Sequence, residues 1–379
     1  MSIGPLVETQ ILPVERPFRF ECGKVLDRID IAYETYGTLN SDRSNAILIE
    51  HALSGDAHAA FYHEGDIKPG WWDCMIGPGK AFDTDRFFVV CSNVIGGCKG
   101  TTGPASIDPA TGRPYGLTFP TMTVRDMVEV QRILLKHLGI ERLKSIAGGS
   151  MGGMQTLQYF CDYPSQTDSF ICIASAMKHS AQQIAFNEVG RRAIMADPRW
   201  NDGNYYGGIS PEGGLSVARM IGHITYISEK MMQEKFGRQK KEKDSKAVFK
   251  PSFEVEHYLD YQGISFVKRF DANSYLYITD AIDNFDLMGS ISSKERFRGH
   301  GRERGMNMGD LRTKKGLVIS FSSDWLYPSS QSREIVRLFT AMNVQVSYTE
   351  IATEHGHDAF LTDYEKPSEI IQGFLASLG

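Results

Sequence analysis

The sequence lacks the marks of several protein classes. No stretch is apolar over the length needed to cross a bilayer, and residues 1–14 hold no basic segment followed by an apolar run. Neither a membrane protein nor a secreted one is therefore expected, and a cytoplasmic location is. The six cysteines, Cys22, Cys74, Cys91, Cys98, Cys161 and Cys172, form no Cys-x-x-Cys pair. A chain of 379 residues folds without covalent staples, so they are read mostly as reduced thiols. Net charge is also scarce: 41 basic against 46 acidic residues leaves −5, no field that would gather nucleic acid or an anionic membrane. The Walker phosphate loop, the dinucleotide fingerprint, the calcium loop and internal repeats are all missing.

What is present is a globular composition, 41 % hydrophobic and 23 % charged, arranged in short apolar runs between turn residues. Residues 46–50, 87–91, 143–147 and 169–174 read as buried strands of a parallel sheet. Residues 124–138 carry apolar positions at helical spacing, closed by Gly139. Alternation returns late, with strands at 316–321 and 344–351 and helices at 331–342 and 370–378. Between them the pattern changes to helical segments around 182–195 and 217–230, followed by a lysine- and glutamate-dense stretch to residue 250, read as a solvated helix and loop. This predicts one α/β domain, residues 1–176 and 312–379, split by a mainly helical lid or dimerisation insertion at 177–311.

The sequence Gly148-Gly149-Ser150-Met151-Gly152 has the pattern of a nucleophile elbow between a strand and a helix. Flanking glycines relieve crowding at such a turn while the hydroxyl projects above the sheet. A serine needs a base, and the base an orienting carboxylate. In the α/β-hydrolase fold these follow in the order acid, then histidine, each just past a late strand. Asp324 and His357 stand where that order requires. His355 competes with His357 on local sequence alone, and Asp283 and Asp286 are rival acids inside the insertion. An oxyanion needs preorganised donors. The amide of Met151 is the first candidate and that of Leu53, on the loop after residue 50, the second; Leu53 equally reads as ordinary core. His51, His58 and His63 with Asp56 lie on one loop without compact ligand spacing, so packing roles are expected and no metal site. Lys99 is a weaker candidate for an anionic substrate.

Four segments together resemble the homoserine O-acyltransferases, chiefly the homoserine O-acetyltransferase family: residues 51–56 (HALSGD), 148–153 (GGSMGG), 323–328 (SDWLYP) and 356–361 (GHDAFL). The resemblance covers roughly residues 18–373, and it favours His357 over His355. It implies acetyl-CoA as acyl donor, L-homoserine as acceptor, and an acyl-Ser150 intermediate formed with Asp324, His357 and the amides of Leu53 and Met151. Succinyl transfer to homoserine or serine is the nearest alternative. The segment 219–226 (RMIGHITY) is similar to the family's acceptor-recognition helix, which implies Arg219 for the homoserine carboxylate, Tyr226 for positioning and Asp358 for the ammonium group. It further implies a homodimer and no permanently bound cofactor. Ser54 departs from the threonine frequent at its position.

Overall fold

The computed structural model describes residues 4–241, 252–292 and 311–379. The residues 242–250 of the lysine-rich stretch and the end of the expected insertion, 293–310, lie outside them.

Eight strands form the central sheet: β1 (Gln10–Val14), β2 (Ile29–Tyr36), β3 (Ala46–Glu50), β4 (Phe88–Ser92), β5 (Ser145–Gly149), β6 (Ser169–Ile173), β7 (Lys315–Phe321) and β8 (Gln345–Ile351). Their spatial order is β1-β2-β4-β3-β5-β6-β7-β8. The pairs β1·β2 and β2·β4 are antiparallel and all others parallel. The period-2 alternation of strands divides the side chains between two cores. Leu48, Val90, Ile146, Phe170 and Val318 enter one cluster, while Ile47, Val89, Ala147, Ile171 and Leu317 enter the other. Both faces are thus covered, which is why the parallel strands read as unbroken apolar runs.

On the first face pack α1 (Val124–His137), α2 (Met151–Asp162) and α9 (Ser329–Ala341), through Met127, Leu134, Met154, Phe160, Ile335 and Phe339. The second face is closed by α11 (Glu365–Ala376) with Ile371 and Phe374, by α10 (Ala359–Thr362) with Phe360, and by Trp72, whose Nε1 donates to the Phe360 carbonyl at 3.0 Å. Helix α1 starts at a reciprocal cap, Thr123 accepting from Asp126 N while the Asp126 carboxylate accepts from Thr123 N.

Between β6 and β7 the described residues are mainly helical: α3 (Ala181–Ala196), α4 (Glu212–Tyr226), α5 (Glu229–Phe236), α6 (Glu254–Val267), α7 (Ala272–Asp283) and α8 (Leu287–Ser292). The single helix expected at 217–230 is two. Ile227 is extended, at φ −106° and ψ 141°, and Ser228 caps the second helix by accepting from Met231 N. Strand β5 runs two residues further than expected, because Gly148 pairs with both Glu50 and Cys172 and Gly149 with Ile173. The antiparallel strands β1 and β2 and helices α6 and α7 were not anticipated from the sequence.

The turn from β5 into α2 packs closely on β3. A Cβ on Gly152 would lie 2.1 Å from the Glu50 carbonyl oxygen, whereas one on Gly373, inside α11, would meet nothing within 4 Å. Gly152→Ala is expected to lower the unfolding free energy by about 2 kcal/mol or more, and Gly373→Ala to raise it by about 0.5–1 kcal/mol. Urea titration of the two variants checks this pair of opposite signs.

Candidate active site

Ser150 is placed by the elbow between β5 and α2 at φ 57° and ψ −123°, outside the regions that L-residues favour. Its N–H donates to the Ile173 carbonyl at 2.9 Å, and its own carbonyl accepts from Ser175 Oγ at 2.7 Å. Gly149 leaves room for the Phe360 ring, which a Cβ would approach to 2.7 Å. The strain is therefore held from three sides.

Asp324 and His357 lie on the loops after β7 and β8 and reach Ser150 together. Asp324 is buried, and its Oδ1 accepts the N–H groups of Leu326 and Tyr327 at 3.0 and 2.8 Å. Its Oδ2 accepts from His357 Nδ1 at 2.8 Å. That bond fixes the ring's tautomer, leaving Nε2 to accept from the Ser150 hydroxyl at 2.9 Å. Burial pushes the His357 ring toward neutrality, but the charge and hydrogen bond of Asp324, with Asp358 adding, outweigh it and raise the pKa above the ordinary value.

The alternatives left open by the sequence separate here. His355 Nδ1 faces Thr362 Oγ1 at 3.0 Å, away from the serine. Asp283 serves a different histidine: it accepts from His179 Nδ1 at 2.8 Å and from Arg191 Nη1 and Asn187 Nδ2 at 2.7 Å each. His179 Nε2 then accepts from the Tyr327 hydroxyl at 2.6 Å, and the Tyr327 ring stacks on His357 with centroids 4.9 Å apart. Asp286 accepts from Gly289 N near the start of α8 and takes no part. His179 and Tyr327 were not singled out from the sequence. Tyr327 stood inside the SDWLYP segment, but nothing marked His179, because its partners are 104 and 148 residues away.

Leu53 and Met151 line the same cavity as Ser150 and His179. Met151 opens α2, so its amide has no partner within the helix. Leu53 is half-buried and packs against both the first sheet cluster and the cluster of the insertion, so it also belongs to the core. Its loop is pinned at His51, whose Nε2 accepts from Val94 N at 3.1 Å and whose carbonyl accepts from Gln155 Nε2 at 3.2 Å. Burial holds the His51 pKa down, and the resulting neutral ring is what accepting an N–H demands. Gln155 and Gln131, which also bonds the buried Glu50 at 2.6 Å, give no signal in sequence because buried glutamine has no spacing rule.

The acceptor candidates also converge. The Arg219 guanidinium lies 5.6 Å from the Tyr226 ring centroid and 4.7 Å from that of Phe266, with Nη1 3.4 Å from Ser54 Oγ. Tyr226 lies 6.0 Å from His357, ring to ring. Burial raises the Asp358 carboxyl against the opposing pull of His357 and Arg219, so the three charges share one neighbourhood. Arg269 joins them from the end of α6, donating to the Ser54 carbonyl at 2.8 Å. Lys99 is not among the residues lining the Ser150 cavity.

Residues 45–364 match the family model of the alpha/beta hydrolase fold, and the chain belongs to that class. Within the class it is 51 % identical over 378 residues to a homoserine O-acetyltransferase of Methanosalsum zhilinae, an alignment covering 100 % of this chain and 74 % of that one. The chain is thus a member of the homoserine O-acetyltransferase family. Among solved structures, the homoserine O-acetyltransferase from Bacillus anthracis superposes with a TM-score of 0.87 at 29 % identity over 98 % of each chain. Esterase E22 gives 0.85 at 31 % identity over 98 % of this chain and 100 % of that one.

The electrostatics of His357 are open to direct measurement. Its ring is expected to titrate above 6.5 by NMR, because the ionic partner outweighs burial. In Asp324→Asn burial is opposed only by the charge of Asp358, and the pKa is expected to fall below that of the wild type. An unchanged value in that variant would mean that Asp324 is not the dominant partner.

Proposed function

We propose that this protein transfers an acetyl group from acetyl-CoA to the side-chain hydroxyl of L-homoserine, with Ser150 carrying the acyl group between the two. The observation that carries the reading is the Ser150–His357–Asp324 chain of hydrogen bonds opening into a cavity lined by Tyr226, with the Arg219 guanidinium 5.6 Å from that ring. In the first half, His357 Nε2 takes the Ser150 proton as Oγ attacks the thioester carbonyl. The amides of Leu53 and Met151 hold the oxyanion. The C–S bond breaks and the CoA sulfur leaves with the proton from His357. In the second half, His357 takes the proton of the homoserine hydroxyl, whose oxygen attacks acetyl-Ser150. The Ser150–acyl bond then breaks, and His357 returns the proton to Ser150 Oγ.

Arg219 suits a carboxylate through its two-pronged geometry, and Asp358 an ammonium group. Tyr226 positions the acceptor between them. Acetyl is favoured over succinyl by the relatives, homoserine O-acetyltransferases of which one is 51 % identical over 378 residues. The likeness to esterase E22 supports water as a second acceptor, but a hydrolase has no use for a zwitterion clamp.

Free-thiol release from acetyl-CoA is expected to depend on homoserine, and succinyl-CoA to be a poor donor. Release that is equal with and without homoserine would instead make the protein a hydrolase. Ser150→Ala is expected to lose about 10⁴-fold or more of the activity and to yield no acetyl-enzyme mass. Arg219→Met is expected to raise KM for homoserine while leaving the homoserine-independent acylation of Ser150 intact.

We further propose that the insertion expected at 177–311 is one unit whose described helices α3, α4 and α6 also pair two copies of the chain. Val189 on α3, Val217 and Ile224 on α4, and Tyr261 and Ile264 on α6 are large apolar side chains left exposed. Sedimentation equilibrium is expected to give a dimer that Val217→Glu weakens, and a wild-type monomer would reject the pairing.

A further inference from the structure

Asp324 holds the His357 ring at one point, Nδ1. A single hydrogen bond tolerates rocking of the ring plane, and rocking moves Nε2 relative to the Ser150 hydroxyl. The faces of the ring have to supply the missing constraint. Three aromatic side chains approach it: Phe360 at 5.6 Å between centroids and 64° between planes, Tyr226 at 6.0 Å and 41°, and Tyr327 at 4.9 Å and 25°. Of these only Tyr327 stacks on the imidazole.

The Tyr327 ring is itself held at both ends. Its backbone N–H donates to Asp324 Oδ1 at 2.8 Å, and its hydroxyl donates to His179 Nε2 at 2.6 Å. Burial pushes the pKa of that hydroxyl up, so it keeps the proton it donates. His179 is oriented in turn by Asp283, which accepts from Nδ1 at 2.8 Å. Arg191 Nη1 and Asn187 Nδ2, both on α3, anchor the Asp283 carboxylate at 2.7 Å each, and Arg191 balances its charge. The carboxylate therefore stays paired even without His179. Taking a carboxylate, a guanidinium and an imidazole out of water is a costly way to pack one phenol, because an apolar side chain would fill the same space. The order carboxylate, imidazole, hydroxyl repeats that of Asp324, His357 and Ser150. A buried phenol of raised pKa that spends its proton on His179 is, however, placed to hold a ring and not to react.

We infer, on the reading that His357 is the base for Ser150, that Tyr327 braced by His179 and Asp283 is a positioning residue for the catalytic imidazole. Its ring keeps the His357 plane aligned between Asp324 and Ser150. In each half-reaction Nε2 takes up a proton and gives it back, so the plane must hold while the ring's charge changes. The π face of Tyr327 also attracts the imidazole while it is positive. His179 lies on the loop after β6, and Asp283 ends α7. The insertion thus reaches the catalytic base through this chain of contacts, and does more than cover the cavity.

The test follows p-nitrophenol release from p-nitrophenyl acetate by the full chain, a reaction that needs Ser150 but neither CoA nor homoserine. Tyr327→Phe and His179→Leu are each expected to lower kcat by roughly 10-fold with little change in KM. The double variant is expected to be no slower than the slower single one, since either change breaks the same brace. His179→Gln keeps an acceptor for the Tyr327 hydroxyl and is expected to stay within about threefold of the wild type. Packing alone would give neither that rescue nor that lack of additivity. If His179→Leu does not fold, Tyr327→Phe compared with His179→Gln decides the matter. A wild-type rate in Tyr327→Phe, or losses that multiply in the double variant, would overturn the bracing role and leave the triad standing. Release that survives Ser150→Ala would overturn the triad and the brace together.

Discussion

The backbone of Ser150 stands at φ 57°, a conformation that costs a non-glycine residue about 1–3 kcal/mol, and the packing around the sheet is arranged to hold it there. Strand β5 lies between β3 and β6, so both its edges are bonded and it cannot relax sideways. Helix α2 presses so closely on the Glu50 carbonyl that only glycine fits at position 152. Ser175 ties down the Ser150 carbonyl, and Phe360 blocks the space beside Gly149. Relaxing the serine would require breaking the sheet, and a hydroxyl that cannot retreat is one whose neighbours can be placed in advance.

The neighbours come from remote parts of the chain. Asp324 and His357 are separated from Ser150 by the helical insertion, and they meet it because β7 and β8 add to the same sheet edge in order. Parallel strands put their carboxyl ends on one side, so loops after β5, β7 and β8 share one rim. A short hydrogen-bonded path from carboxylate to imidazole to hydroxyl then follows from topology rather than from any local sequence.

Much of this was legible. The strands at 46–50 and 169–173 announced themselves as apolar runs, and the elbow through its glycines, because burial on both faces leaves a compositional trace. Asp324 was legible through order along the chain, whereas His357 could be separated from His355 only by resemblance. Other features left no such trace. β1 is a mostly exposed edge strand, β2 mixes acidic with apolar residues although it is buried, and the Ile227–Ser228 break interrupts an otherwise good helical pattern. His179 draws its meaning from partners many residues away, which a reading of spacing does not reach.

The break between α4 and α5 ties the insertion to both catalytic loops. Trp325 Nε1 donates to the Ile227 carbonyl at 3.2 Å, and Ser228 Oγ donates to the Glu354 carbonyl. Gly356, at φ 71°, lies so close that a Cβ there would come within 2.6 Å of Ser228 N and of the Tyr226 carbonyl oxygen. Three stretches of chain thus share one joint of backbone contacts that tolerates little change in any member. Recombination that imported an insertion from a distant relative would have to bring the segments around Trp325 and Gly356 with it, so these pieces are inherited as a set although 98 and 126 residues separate the bonded partners.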